Sequence, residues 1–257
     1  MIISPQNPKV KLIRSLQGRA KARRKENAFL VEGVRLLEEA VAAKWKIRFV
    51  LYDRSLNERG KELLSTLEDI EIEEVDSALL KSVSDTENSQ GVLAVLDYSQ
   101  LRIPDSPDFL LILDQIRDPG NLGTLLRTAA AANVDALLLP PGTTDAFAPK
   151  VLRAGMGAHF HLPIVNMDWD EIKNQTRGLT VYLAEMRGGV VYTEASLNNA
   201  CALIIGGEAN GASQSARDLA AHSIHIPMPG EMESLNAAIA GAILIFEVVR
   251  QRNYPHK

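Results

Sequence analysis

The chain has 257 residues, enough for one large domain or two modest ones, and its 46% hydrophobic and 23% charged residues suit a globular protein with a sizeable core. A single cysteine, Cys201, excludes an internal disulfide and a cysteine-based metal cluster. The net charge of −4 argues mildly against a nucleic-acid partner, but it averages an uneven chain.

Lys9, Lys11, Arg14, Arg19, Lys21, Arg23, Arg24 and Lys25 all precede the first acid, Glu26. Leu12, Ile13 and Leu16 recur among them at helical spacing. Two readings of this basic helical arm stand: a solvated helix face behind a disordered lead-in, or an RNA-contacting arm in which Lys9, Lys11, Arg23, Arg24 and Lys25 meet phosphates. The opening Met-Ile-Ile-Ser-Pro-Gln-Asn-Pro-Lys is too broken for a signal peptide. No run reaches the roughly 18 apolar residues that span a bilayer. A cytoplasmic location is the expectation.

Strands and helices then alternate. Residues 27–33, 46–52, 70–75 and 91–96 read as strands. Residues 33–43, 58–67 and 77–83 read as helices, the last capped by Asp76. This pattern predicts a small α/β sandwich. Leu101-Arg-Ile-Pro-Asp-Ser-Pro-Asp breaks it, so the expected domains are residues 1–105 and 106–257.

The second half alternates more hydrophobically. Strands are expected at 109–114, 136–139, 162–165, 179–183 and 202–205, with another between His222 and His225. Helices are expected at 121–133, 149–157, 169–176, 215–221 and 235–251. On the last helix Ile239, Ala242, Ile243, Phe246 and Val249 form the expected apolar side. The predicted fold class is α/β, a mostly parallel sheet with helices on both faces, which binds ligands outside the carboxyl ends of its strands. Cys201, in Cys-Ala-Leu-Ile-Ile, is expected to be a small buried hydrophobe.

Polar side chains that can carry chemistry gather at a few loops. Asp118-Pro-Gly-Asn is turn chemistry, with Asn121 as an expected helix cap. Arg127 follows two turns later, above Gly123 and Thr124, either as an ordinary surface arginine or as a fork for a phosphate or ribose oxygen. Gly206-Gly-Glu-Ala-Asn-Gly211 follows an apolar strand but is not a dinucleotide fingerprint, and no phosphate-binding P-loop is present. His159 with His161, and His222 with His225, lack the carboxylates of a zinc site and are expected to pack or face solvent. Trp45 and Trp169 read as packing aromatics. Phe147 has a minor reading as a base-stacking ring.

Three ordered segments resemble the motifs of the SpoU (TrmH-type) family of RNA ribose 2′-O-methyltransferases, of the SPOUT class. They are Asp118-Pro-Gly-Asn-Leu-Gly-Thr-Leu-Leu-Arg-Thr-Ala, Ile205-Gly-Gly-Glu-Ala-Asn-Gly-Ala-Ser, and Ile226-Pro-Met-Pro-Gly-Glu-Met-Glu-Ser-Leu-Asn236. Asn7-Pro-Lys-Val-Lys, Phe29-Leu-Val-Glu-Gly and Ser89-Gln-Gly-Val-Leu-Ala-Val resemble the family's substrate-binding domain, which has the fold of a small ribosomal RNA-binding protein. The resemblance implies a trefoil knot, which general folding rules would never suggest. It also implies a homodimer through the closing helix, S-adenosyl-L-methionine as cofactor, and ribosomal RNA rather than tRNA as substrate. By motif match the catalytic positions are Asn121, Arg127, Glu208, Ser234 and Asn236. The cofactor-binding positions are Gly206, Gly207, Ile226, Met228 and Leu235, and no metal is expected. Arg127 would be the base, yet a guanidinium ordinarily keeps its proton, so phosphate orientation and charge stabilisation stand as an equal reading. Glu208 as a turn residue and Asn236 or Ser234 as helix caps are the plain structural alternatives. A non-catalytic RNA-binding protein, a base methyltransferase and a small-molecule enzyme are the rival functions; the last leaves the basic arm unexplained.

Overall fold

The computed structural model describes residues 1–98, 101–207 and 211–253. The chain divides into two compact units, Met1–Gln100 with Phe147–Phe160, and Leu101–Ala146 with His161–Lys257.

In the first unit α1 (Pro8–Gly18) starts at a built cap: the Asn7 side chain accepts from the Lys9 amide at 2.9 Å and Pro8 opens the helix. Helix α2 (Ala20–Glu26) ends at Asn27, which takes the left-handed conformation at φ 48°. Then follow β1 (Ala28–Glu32), α3 (Val34–Ala42), β2 (Ile47–Tyr52), α4 (Glu58–Ser65), β3 (Glu71–Glu74), α5 (Ser77–Ser82) and β4 (Val92–Asp97). The sheet order is β1-β4-β2-β3; β4 runs antiparallel to both neighbours, while β2 and β3 are parallel. Alternate residues Ala28, Leu30, Phe49, Leu51, Leu93 and Val95 pack against Val10, Ile13 and Leu16 of α1 and Leu79 and Leu80 of α5. The other parity is buried too, at Phe29, Val31, Val50, Ala94 and Leu96. The basic segment is therefore a packed part of this unit, and the disordered lead-in is corrected: even Ile2 bridges to Val75.

The second unit runs β5 (Phe109–Asp114), α6 (Pro119–Ala131) and β6 (Ala136–Leu139). The chain then visits the first unit through α7 (Pro149–Gly155) and a 3₁₀ turn at Ala158–Phe160. The sequence reading placed this excursion with the second domain. Its rings explain its position: Phe147 and Phe160 lie 4.9 and 6.5 Å from Phe29, and Trp45 stands edge-on to Phe160 at 5.1 Å. Phe147, only 3% exposed, belongs to this cluster and is not a base-stacking platform. His159 is buried beside it, ring to ring at 5.5 Å.

The chain returns as β7 (Ile164–Asn166), α8 (Trp169–Gln175), β8 (Thr180–Glu185), β9 (Val190–Val191), β10 (Cys201–Gly206), α9 (Gln214–Leu219), β11 (His222–His225) and α10 (Ala237–Asn253). The sheet order is β7-β6-β5-β10-β8-β11-β9, and every strand pairing among the described residues is parallel. Leu110, Ile112, Leu138, Val181, Leu183 and Ile204 face Ile172 of α8 and Ala216 of α9. On the opposite face α10 meets α6 and β10. Gly241 makes that approach possible, because a Cβ there would lie 2.4 Å from Leu125 Cδ2 and 3.6 Å from Ile205 Cγ1. Burial on both faces is why these strands read as unbroken apolar runs.

Two expectations are corrected here. Asp118, not Asn121, caps α6: its carboxylate accepts from the Asn121 amide at 2.7 Å, and Pro119 takes the first helical position. The core-facing side of α10 is Ala238, Gly241, Ile245 and Val248, whereas Ile239 and Phe246 stand 52% and 49% exposed. Cys201 is fully buried as expected, and desolvation pushes its thiol up to about 11.

Candidate functional site

The carboxyl ends of β8, β10 and β11 open into a cavity of about 550 Å³, closed on one side by the start of α10. Its position follows from topology. Beside β10 the connections run in opposite senses, β5 through α6 to β6 on one side and β10 through α9 to β11 on the other, which leaves a crevice at the strand tips. Gly206 and Gly207 line the crevice, as do Ile226, Met228, Ser234, Leu235 and Asn236. All five positions expected to hold the cofactor, and two of the five expected to be catalytic, thus share one cavity.

Neither glycine tolerates a side chain. A Cβ on Gly206 would meet Ala212 N at 2.7 Å, and one on Gly207 would meet the Gln115 carbonyl oxygen at 2.3 Å. Gly207 and Gly211 form an antiparallel bridge. Asp114, at the end of β5, is fully buried and draws the far end of the loop down, its Oδ2 accepting from Ser213 N at 2.6 Å. Main-chain groups at the strand tips therefore lie bare toward the cavity.

Asn236 joins the first and third motifs. Its Oδ1 accepts from Ala238 N at 2.9 Å and Ile239 N at 3.2 Å, capping α10, while its Nδ2 donates to Asn121 Oδ1 at 2.9 Å. The capping and site readings are thus not exclusive. Asn236→Ala is expected to cost about 1 kcal/mol of stability, the usual worth of such a cap, and to remove the Nδ2 bond to Asn121. Thermal unfolding measures the first effect. The catalytic rate measures the second, and a rate loss no larger than the stability loss implies would confine Asn236 to capping.

Arg127 is exposed on α6, makes no hydrogen bond or ion pair with another described residue, and does not line the cavity. Glu208 lies outside the described residues. Sequence reasoning missed the one ion pair among the described lining residues, Arg217 of α9 with Glu185 at the end of β8. The signal available was positional: Glu185 ends a parallel strand. Among the described residues no group of three or more His, Cys, Asp or Glu side chains is arranged to hold a metal, and no helix is long and apolar enough to cross a membrane.

In the first unit the five expected RNA-binding cations divide. Lys11, Arg24 and Lys25 are exposed, with Arg14, Arg19 and Lys21 beside them in sequence. Lys9 is taken by Glu71 and Glu73; burial pulls its ammonium down, but those two bonds and charges outweigh it and raise it. The Glu73 carboxyl is held below its usual range, first by its bond to Lys9. Arg23 is 3% exposed and donates to the Leu16 carbonyl at 2.5 Å. Arg23 is buried and Lys9 half-buried, both engaged within the unit.

A parallel α/β sheet with a glycine-lined crevice at its strand tips defines a protein that binds a small organic ligand there. The SpoU rRNA methylase family profile matches residues 108–246, and the profile of the MRM3-like substrate binding domain matches residues 7–94. The chain belongs to the SpoU rRNA methylase family. It is 35% identical over 252 residues to the Bacillus subtilis 23S rRNA (guanosine(2553)-2′-O)-methyltransferase RlmP, covering 96% of this chain and 98% of that protein. It is 32% identical to the 23S rRNA (uridine(2479)-2′-O)-methyltransferase of Streptomyces viridochromogenes, covering 97% and 92%. The crystal structure of the SpoU methyltransferase AviRb from that organism, in complex with AdoMet, superposes with a TM-score of 0.88 at 29% identity over 98% of this chain and all of that one.

Proposed function

We propose that this protein transfers a methyl group from S-adenosyl-L-methionine to a ribose 2′-hydroxyl of large-subunit ribosomal RNA, in the cytoplasm. The observation that carries the reading is the single cavity built from the second and third motifs, tied to the first through Asn121 and Asn236. Its volume of about 550 Å³ suits a nucleoside-sized ligand. Ile224, Ile226 and Leu244 give an apolar wall for a purine. Gly206 and Gly207 give bare backbone that a Cβ would fill.

The cofactor supplies an activated methyl group on a sulfonium, and the chain supplies placement and charge. Asn236 fixes the amide of Asn121, so two side-chain amides from distant motifs present one polar edge beside the cavity. Ser234 adds a hydroxyl to the lining. Arg127, free of structural duty on α6, is assigned to the RNA phosphate and to charge developing on the 2′-oxygen. Glu208 is assigned to the same site by its motif position. Residues 1–105 are assigned to RNA binding, through Lys11, Arg24 and Lys25, and residues 106–257 to catalysis. Ile239 and Phe246, exposed along α10, support a homodimer interface on that helix. A knotted path is assigned to the second unit from its three family motifs alone.

Calorimetric titration with S-adenosylhomocysteine tests the cofactor assignment, with one ligand per chain expected. Incubation with labelled cofactor and either ribosomal RNA or tRNA, followed by nucleoside mass spectrometry, tests the acceptor. A 2′-O-methylated nucleoside from ribosomal RNA is expected. Methylation of tRNA alone, or RNA binding without transfer, would replace this reading.

A further inference from the structure

The ion pair in the cavity wall has no role in the function set out above. Its carboxylate stands at the strand tips of the site, and the Arg217 side chain is half-exposed at the rim. Ile204 of β10 pairs with Leu183 of β8, so two residues further along Glu185 stands level with Gly206; on its other side Glu185 pairs with His225 of β11. The Glu185 carboxylate therefore rises from the floor of the cavity, between the glycine loop and the loop that carries Ile226. Its side chain is 18% exposed. Arg217 binds Oε1, and no donor from another described residue takes Oε2. The other polar side chains of the lining are those of Ser234 and Asn236, near the start of α10.

We propose that Glu185, aimed by Arg217, accepts hydrogen bonds from the vicinal hydroxyls of the cofactor's ribose, an inference that rests on the cofactor reading above. A carboxylate can only accept, so it must face donors. The cofactor offers three sets: the adenine amino group, the two ribose hydroxyls and the ammonium of the amino-acid tail. The adenine ring belongs against the apolar wall of Ile224, Ile226 and Leu244, away from a charged pair. The ammonium is a strongly hydrated cation, and a carboxylate already neutralised by a guanidinium attracts it weakly. The ribose lies between ring and tail. Its hydroxyls are neutral donors, and a carboxylate whose second oxygen no other described residue occupies gives them charge-assisted hydrogen bonds without leaving a charge unpaired. Arg217 is a positioning residue in this scheme, fixing the carboxylate so that no rotamer search accompanies binding.

The test is calorimetry on wild type and Glu185→Ala with three ligands: S-adenosylhomocysteine, its 2′,3′-dideoxyribose counterpart, and methylthioadenosine, which keeps the ribose and lacks the tail. Glu185→Ala is expected to bind S-adenosylhomocysteine and methylthioadenosine about ten- to a hundredfold more weakly, the span of a hydrogen bond to a charged group. It is expected to bind the dideoxy ligand only slightly more weakly than wild type does. An equal fall for all three ligands marks a merely structural residue and overturns the proposal. A fall for S-adenosylhomocysteine with methylthioadenosine unchanged moves Glu185 to the tail and also overturns it. Glu185→Gln keeps the packing and is expected to show the same selectivity at smaller amplitude, so a folding defect in the alanine variant leaves the question decidable. Arg217→Met is expected to weaken S-adenosylhomocysteine less than Glu185→Ala does, and to add nothing on top of it. Absence of binding to wild type, with ribosomal RNA present as well, would sink the cofactor reading itself.

Discussion

Arg127→Lys is expected to bind S-adenosylhomocysteine as the wild type does and to transfer methyl groups about 10²–10³-fold more slowly, the usual cost of removing one preorganised charge-stabilising donor. The two halves of that expectation come from different observations. Arg127 is exposed on α6, outside the cavity lining, and no other described residue pairs with it. Surface substitutions of this kind usually change stability by no more than about 0.5 kcal/mol, so neither the fold nor the cofactor site should register the change. The rate is a different matter. A guanidinium presents a planar fork to a phosphate or an oxyanion, and lysine replaces it with a rotating point charge. Because a guanidinium ordinarily keeps its proton, the role proposed for Arg127 is a clamp for the RNA and for negative charge at the attacking oxygen. On that account lysine retains more activity than alanine, whereas a proton acceptor would be lost equally in both. Single-turnover rates with a ribosomal RNA fragment, beside a thermal unfolding curve for each variant, measure both halves. Near-native turnover by Arg127→Lys would end the special role of this residue.

What could be read in advance depended on how local the deciding physics is. Phe109–Asp114 and Cys201–Gly206 were legible as central strands because burial on both faces leaves no polar residue to break the run. The α6 start was legible as a turn, yet the cap was misplaced by three residues. Asp118 and Asn121 are both good caps, and Pro119, which prefers the first helical position, decides between them. The excursion 147–160 was legible as a short helix but not as part of the first unit. Its pattern shows only that Phe147 and Phe160 need partners; that the partner is Phe29, more than a hundred residues earlier, is a non-local fact. The basic segment shows the same limit. Eight cations look alike in a row, but Glu71 and Glu73 claim Lys9, and the Leu16 carbonyl claims Arg23. In the site, the second and third motif loops pointed to Gly206, Gly207, Ile226, Met228, Ser234, Leu235 and Asn236, which line one cavity. Glu185 and Arg217 escaped because an ion pair between positions 32 apart has no sequence period.

Gly207→Ala is expected to lower the affinity for S-adenosylhomocysteine by more than tenfold and to reduce the midpoint of thermal unfolding by several degrees. The added methyl carbon would lie 2.3 Å from the Gln115 carbonyl oxygen and 2.9 Å from the carbonyl carbon. Both contacts are main chain, so no rotamer change relieves them. Gln115 has little room to retreat. It already holds a left-handed backbone at φ 56°, and it follows Asp114, whose buried carboxylate is bonded to Ser213 N across the same loop. Overpacking of a close-fitted site typically costs about 1–3 kcal/mol, and for a unit of this size each kcal/mol is worth about 2–4 °C in the midpoint. The loop must move, and the same loop presents its backbone to the cavity. Gly230 supplies the control within the third motif. It has no atom within 4 Å of an added Cβ, so Gly230→Ala is expected to leave both measurements at wild-type values. If Gly207→Ala binds as tightly as wild type, the glycine turn is elastic, and close backbone approach is not what shapes this site. If both variants fail alike, the requirement is for mobility in these loops and not for space. Only loss at Gly207 with none at Gly230 makes the bare backbone at the end of β10 the feature that the ligand reads.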